Sequence, residues 1–164
     1  MKYTLILGSL LASCLLTGCG NDWHAETYPA TGKITVNGAA ASGAVVTLHA
    51  VNRKVDVRNS RPYGIADEQG NFSLKTYEAD DGAPVGEYDV TVTWPVDVTK
   101  MDLAMIDQLD GKFDRPTESQ WKVNITEGDN AIASIDITGV TLKQKRQGSR
   151  SRSLPRGPEQ GSEK

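Results

Sequence analysis

The clearest alternation of hydrophobic and polar positions in the chain lies between Glu87 and Pro95. The apolar positions of this stretch are Tyr88, Val90, Val92 and Trp94. A period of two residues predicts a β-strand with one buried face, and proline is expected to end it. Each apolar side chain that becomes fully buried would contribute roughly 1.5–3 kcal/mol to stability.

Shorter stretches with the same alternation predict further strands on both sides of this one. They lie at residues 33–37, 44–51, 63–66, 71–77, 121–126 and 133–137. Turn sequences separate them, among them Asn37-Gly38, Asp67–Gly70 and Glu127–Asn130. Residues 52–62 are charged and without a clear period, which predicts an exposed loop or a weak edge strand. About seven short strands at this spacing predict an all-β fold, an antiparallel seven-stranded β-sandwich.

One stretch has a helical period instead. Residues 100–109 place an apolar side chain at every fourth position, at Met101, Met105 and Leu109. Thr99 is a candidate N-cap and Gly111 a candidate stop. We therefore expect one short helix of about two to three turns, packed over one end of the sandwich.

The N-terminus is typical of a secreted protein. Lys2 precedes a mostly apolar run from Leu5 to Leu16, which is too short for a permanent membrane helix and predicts a signal peptide over residues 1–18. The run ends in Leu16-Thr17-Gly18-Cys19, which resembles the lipobox of bacterial lipoproteins. That resemblance implies cleavage before Cys19 and lipidation of Cys19. The alternative is a secretory peptide without lipidation, in which the cysteine occurs by chance.

Lipidation would anchor the protein to a membrane surface without spanning it. Residues 19–28 would then be a tether, in which Trp23 lies at the membrane interface or packs on the domain edge, and His24 is solvated. Gly20 does not resemble the aspartate of an inner-membrane retention signal. The expected location is the cell envelope, at the outer membrane or cell surface, facing the periplasm or the exterior.

The number and positions of the cysteines limit which kinds of site the mature protein can have. The chain has two cysteines, Cys14 inside the signal and Cys19. After processing and lipidation no free thiol would remain, which excludes a disulfide, a cysteine nucleophile and a cysteine-ligated metal. The domain, predicted over residues 29–142, would depend on its hydrophobic core.

Charge is unevenly distributed along the chain. Seven Lys and Arg against two Glu give residues 143–164 a net charge of +5, and Lys2 adds +1, so the overall −3 leaves −9 for residues 19–142. The tail 143–164 lacks apolar periodicity, which predicts disorder. It would serve as a solubilising extension or contact anionic lipids or cell-wall polymers weakly. Its cations do not share a folded face with aromatic residues, so nucleic-acid binding is not expected.

Four stretches of the chain resemble a known domain family. They are TGKITVNGAAASGAVVTLHAV, IADEQGNFSLKTY, DGAPVGEYDVTVTWP and GKFDRPTESQWKVNITEGDN. Together they are similar to transthyretin-like, carboxypeptidase regulatory-like domains, and most of all to the lipoproteins of this type in planctomycete-type bacteria. The resemblance covers roughly Tyr28 to Thr138. It implies an accessory domain that stabilises or spaces its neighbours, or holds glycans or peptides.

Catalysis is not favoured by the sequence. Hydroxyisourate hydrolases share the transthyretin-like fold, but their histidine cluster and terminal Tyr-Arg-Gly-Ser motif have no counterpart here, and no serine lies in a Gly-x-Ser-x-Gly elbow. The pair Asp80-Asp81 could act in acid–base chemistry, although a solvated turn is favoured. For His49 a satisfied or surface position is favoured over a metal or catalytic role. No cofactor is indicated.

Two binding hypotheses stay open. Carboxylates that could gather round Ca²⁺ are Asp67, Glu68, Asp80, Asp81 and Glu87, although a solvated acidic rim is favoured because no dedicated spacing is present. Aromatic rings that could stack on sugars are Tyr63, Tyr77 and Trp121, with Trp121 favoured as a core residue. The expectation is a non-catalytic envelope lipoprotein with a structural or protein-interaction role; the alternatives are a carbohydrate-binding module and, less favoured, a transthyretin-like hydrolase.

Overall fold

The computed structural model describes residues 23–96 and 106–143. This part of the chain is all-β, as predicted, with nine strands and one turn of 3₁₀ helix at Pro116–Glu118. The strands are β1 (Ala30–Val36), β2 (Ala39–Ala40), β3 (Val45–Ala50), β4 (Tyr63–Ile65), β5 (Asn71–Ser73), β6 (Gly86–Thr93), β7 (Lys122–Ile125), β8 (Asn130–Ala131) and β9 (Ile135–Ile137).

The strands form two sheets, and β1 organises the first. It pairs antiparallel with β2 and β5, and parallel with β8 and β9. Ile34 donates to the Gly70 carbonyl and accepts from the Ala41 N–H, so β2 and β5 share one edge of β1. The Thr31 carbonyl accepts from Ile132 on the other edge. The prediction of a wholly antiparallel sandwich is therefore wrong for this sheet, which is mixed.

The second sheet is antiparallel and has the order β4-β3-β6-β7. Its centre is the six-residue register of β3 and β6, from Val45 opposite Thr93 to Ala50 opposite Tyr88. The alternation predicted for β6 is confirmed at Tyr88, Val90 and Val92, which are buried. Trp94 is only partly buried, and its indole N–H donates to the Ser42 carbonyl at 2.8 Å.

Both sheets contribute to one hydrophobic core. Its large buried members include Ile34 of β1, Leu48 of β3, Tyr88 of β6, Ile125 of β7 and Ile135 of β9. Thr91, predicted on the polar face of β6, is nevertheless only 5% exposed, and its hydroxyl shares a hydrogen bond with His49 Nε2.

The predicted helix is not present in the part of residues 100–109 that the structure describes; residues 100–105 lie outside the described residues. Asp107 forms a bridge with Pro95, and residues 108–113 are turns. The Asp107 carboxylate accepts the N–H groups of Trp94, Leu109 and Gly111, at 2.7, 3.1 and 2.8 Å. These side-chain bonds fold the chain into turns in place of helical bonds. Leu109 is buried, as the apolar spacing of residues 100–109 predicted.

Strand directions define two ends of the fold. The N-terminal end contains the segment 23–29, the loops 51–62 and 74–85, and the turn 126–129, because β1 and β6 begin there and β3, β5 and β7 end there. The opposite end contains the Asn37-Gly38 and Asp67–Gly70 turns and the connection from β6 to β7. None of the described helices is long and apolar enough to cross a bilayer.

Candidate functional site

The segment before β1 packs on the N-terminal end of the fold. Tyr28 and Ala83 exchange two backbone hydrogen bonds, each 3.0 Å long, so that the segment joins loop 74–85. Gly82 permits this approach. It has φ +85°, and a Cβ atom there would lie 1.8 Å from the Tyr28 carbonyl oxygen. Loop 74–85, first a candidate for chemistry, thus holds the start of the domain in place.

An aromatic cluster extends this contact toward the N-terminus. The His24 ring stacks on Tyr77 with centroids 3.9 Å apart and an interplanar angle of 9°. Trp23 meets both rings edge-on, and the Arg58 guanidinium lies 3.8 Å from the centroid of the Trp23 ring. Of the two alternatives for Trp23, its contacts match packing on the domain edge. The expectation that His24 is simply solvated is wrong, because one face of its ring is covered.

Tyr77 connects this cluster to loop 51–62. Its hydroxyl donates to Asp56 Oδ2 at 2.8 Å and accepts the Ala25 N–H at 3.0 Å. Partial burial raises the pKa of Asp56, but hydrogen bonds from Ser60, Tyr77 and Arg58 outweigh it and bring this pKa to about 2. Burial raises the pKa of Tyr77 to about 12, with the Ala25 N–H opposing and Asp56 adding to the shift.

Asp81 plays the corresponding part in loop 74–85. Its carboxylate accepts the N–H groups of Thr76, Tyr77 and Glu78 at 2.6, 2.9 and 3.1 Å. Asp80 beside it is exposed and has φ +57°. The two carboxylates therefore have different roles, and Asp81 is occupied by the backbone of its own loop. With three backbone N–H groups on its carboxylate, Asp81 has a structural role in the loop that an acid–base dyad with Asp80 would not explain.

The other predicted Ca²⁺ ligands do not join them. Asp67 and Glu68 lie in a turn at the opposite end, where the Asp67 carboxylate accepts the N–H groups of Gln69 and Asn71. These bonds, that from Asn71 first, hold the pKa of Asp67 below its usual value. Glu87 lies on β6 opposite Asn124. Within residues 23–96 and 106–143, no three carboxylate, imidazole or thiol groups come together as metal ligands would.

The aromatic residues proposed for sugar stacking are also separated. Tyr63 lies on the edge strand β4, with the Lys75 ammonium 4.9 Å from its ring centroid. Tyr77 is covered by His24. Trp121 precedes β7 at the other edge of the second sheet, where it packs against Phe113 and lines a groove of about 240 Å³ with Val123 and Ile132. Of these three residues, Trp121 is the one that lines a described groove.

His49 lies in a polar cavity at this end. Its Nε2 shares a hydrogen bond of 2.8 Å with the Thr91 hydroxyl. Burial lowers the pKa of His49, Arg61 lowers it further, and Asp89 opposes them, while Asp89 itself pairs with Lys122 at 2.6 Å. The cavity measures about 230 Å³, and its lining residues are His49, Ala50, Arg53, Lys54, Asn59, Ser60 and Arg61. A cavity that is lined by a histidine and three cationic side chains favours the binding of anions.

Arg53 fixes the start of this loop against β6. Its guanidinium donates to the Val85 carbonyl at 2.6 Å and to the Tyr88 hydroxyl at 2.9 Å. That buried hydroxyl donates in turn to the Pro84 carbonyl, four residues earlier, at 2.6 Å. The arrangement has the form of a tyrosine corner.

Sequence reasoning missed loop 51–62 as a site, although the sequence shows that it places four cations within a strongly acidic segment.

Comparison with known protein families and with curated proteins finds no match for this chain. Among solved structures it is similar to the 9R-lipoxygenase from Cyanothece PCC8801, with 11% sequence identity and a TM-score of 0.36. The similarity covers 68% of this chain but 16% of the lipoxygenase chain. At this level it carries no argument about fold family or activity.

Proposed function

We propose that the protein is a non-catalytic, lipid-anchored lipoprotein of the cell envelope with a structural or protein-interaction role, built on a sandwich of the transthyretin-like, carboxypeptidase regulatory-like type. One observation carries the proposal. The lipobox-like sequence ends at Cys19, and Trp23, four residues later, is already packed on the domain. Four residues span at most about 14 Å, so a lipid on Cys19 would hold the N-terminal end close to the bilayer.

The arrangement of reactive groups supports a non-catalytic role. Thr91, whose hydroxyl bonds to His49, is only 5% exposed, which leaves a substrate little access to that hydroxyl. The carboxylates of Asp56, Asp67 and Asp81 accept backbone N–H groups and so serve the loops. These hydrogen bonds stabilise the loops. The stabilised loops in turn present an exposed surface for binding.

Membrane fractionation tests the anchor. Cys19→Ser should leave the precursor uncleaved or move the protein out of the membrane fraction, because the acylated sulfur is lost. Cys14→Ser is the matched control, since Cys14 lies in the removed segment, and it should fractionate as the parent chain does. A Cys19→Ser protein that is cleaved and still fractionates with membranes would refute the proposal, as would measurable hydroxyisourate turnover.

The groove at Trp121 favours a second candidate, a carbohydrate-binding module at the cell surface. It offers one partly buried indole with apolar neighbours at the edge of the second sheet. Retention of the protein on cell-wall glycan, lost in Trp121→Ala with an unchanged circular dichroism spectrum, would favour this candidate over a purely structural role.

A further inference from the structure

Residues 52–62 concentrate positive charge in an acidic domain. They contain four cations and one carboxylate, a net charge of +3, within a segment 19–142 of net charge −9. The cations Arg53, Lys54, Arg58 and Arg61 are exposed. The carboxylate, Asp56, is bonded to the N–H groups of Arg58 and Ser60 and to the Tyr77 hydroxyl. The loop's one carboxylate is thus bonded within this end of the fold. Of its cations, Arg53 is bonded to the Val85 carbonyl and the Tyr88 hydroxyl, whereas Lys54 and Arg61 extend from the exposed side of the loop.

The cavity beside this loop has the chemistry of a phosphate site. Arg53, Lys54 and Arg61 line it together with the amide of Asn59 and the hydroxyl of Ser60, and no carboxylate is among its described lining residues. Its volume of about 230 Å³ exceeds that of a single phosphate group. Guanidinium and ammonium groups around one concave surface bind phosphate oxygens through charge-assisted hydrogen bonds.

Loop 51–62 lies next to the segment through which the domain is connected to Cys19. Arg58 contacts Trp23, and Cys19 precedes Trp23 by four residues, at most about 14 Å of chain. Val57, next to Arg58, is 79% exposed, an apolar side chain suited to the edge of a lipid layer. The other segments of this end carry carboxylates, at Glu26, Glu78, Asp80, Glu127 and Asp129, so its positive charge is concentrated in loop 51–62.

We propose that residues 52–62 form a membrane-contacting surface that binds the phosphate groups of anionic phospholipid headgroups and so orients the domain on the bilayer. This inference rests on the proposed lipid anchor at Cys19. Exposed cations near an anionic leaflet attract it, and a basic patch next to a lipid chain supplies a second membrane signal. The acidic loops of the same end would then tilt away from the headgroups.

Site-directed fluorescence on the lipidated protein tests the orientation. Processing removes Cys14 and acylation blocks Cys19, so Val57→Cys introduces the only free thiol for an environment-sensitive dye. The matched control is Gln69→Cys, an exposed position at the opposite end. Each labelled protein is reconstituted into phosphatidylcholine vesicles with and without phosphatidylglycerol, carrying nitroxide lipids as quenchers. We expect the dye at position 57 to be quenched more when phosphatidylglycerol is present, less at high salt, and the dye at position 69 to be unaffected.

Charge variants identify the groups responsible. Lys54→Gln with Arg61→Gln should lower the ratio of membrane-contacting to free loop about 10- to 30-fold on phosphatidylglycerol vesicles. Lys33→Gln with Lys112→Gln removes the same charge elsewhere and should leave that ratio unchanged. Equal quenching at positions 57 and 69, no response to phosphatidylglycerol, or an equal effect of both charge pairs would overturn the proposal. So would a response only to a soluble anionic polysaccharide.

The anchor is scored separately in the same samples. Intact mass reports whether Cys19 carries acyl chains, independently of any quenching. An unacylated mature chain would contradict the proposed function, whereas an acylated chain without preferential quenching at position 57 would contradict only the membrane-contacting surface.

Discussion

Loops 51–62 and 74–85 lie side by side at the N-terminal end and are built in the same way with opposite charge. Each is held by one aspartate whose carboxylate accepts backbone N–H groups, Asp56 in the first and Asp81 in the second. Tyr77 links them, because its N–H donates to Asp81 and its hydroxyl donates to Asp56. Only the first loop borders the basic cavity.

The difference shows that the number of charged residues in a loop is a poor guide to its chemistry. In each loop one carboxylate is used for folding, which leaves solvated carboxylates such as Asp80 in the acidic loop and exposed cations such as Lys54 and Arg61 in the other. A charge can act on a partner only when the fold does not already use it.

Gly82→Ala is the most severe change that this comparison suggests. A methyl group would collide with the Tyr28 carbonyl and would also force alanine to φ +85°. We expect the free energy of unfolding to fall by about 3 kcal/mol or more, measured by urea denaturation. Gly128→Ala is the control, since Gly128 has φ +87° but no neighbour within 4 Å of an added Cβ. It should lose only about 1–2 kcal/mol, and equal losses would show that the contact with Tyr28 is unimportant.

Asp81→Asn and Asp56→Asn compare the two loops directly. Each replaces a carboxylate that accepts several hydrogen bonds with a weaker neutral acceptor, so we expect each to lower the free energy of unfolding by about 1–2 kcal/mol. Asp80→Asn is the control, because asparagine tolerates the φ of +57° and Asp80 is exposed. Denaturation midpoints measure all three. A loss for Asp80→Asn as large as for Asp81→Asn would contradict the division of roles.

Acid titration should give the smallest effect. Asp56 has a pKa of about 2 in the folded chain, below its ordinary value of 3.8, so its contribution is present above about pH 4 and disappears as the pH falls through 2. After a discount for solvent screening, we expect the parent chain to lose about 1 kcal/mol more than Asp56→Asn between pH 5 and pH 2. Parallel stability curves for the two proteins would show that Asp56 is not paired as described.

Local sequence patterns predicted the strands of the second sheet and one turn of the first. Period-two alternation identified β6, and the Asn37-Gly38 pair marked the turn after β1, where both residues have positive φ. Such signals are visible because they arise between residues that are neighbours in sequence. The parallel partners of β1 could not be predicted in this way, because Ile34 and Ile135 are a hundred positions apart.

The candidate site could not be predicted from the sequence for a similar reason. Asp80 and Asp81 look equivalent in sequence, and only the positions of three N–H groups distinguish them. The cavity combines His49 from β3 with residues up to Arg61, across a loop that has no period. In the same way, the spacing of Met101, Met105 and Leu109 favoured a helix, but the side chain of Asp107 offered the backbone other partners.

The parallel pairing of β1 with β9 has a consequence for how the chain folds. The first strand cannot complete its hydrogen bonds until Ile135–Ile137 arrive from the far end of the domain, which requires the closure of a very long loop. Contacts so distant in sequence slow folding, so we expect this domain to fold late and cooperatively once the whole chain is available. Loss of the last strand would leave an open edge on β1, where a second copy could add.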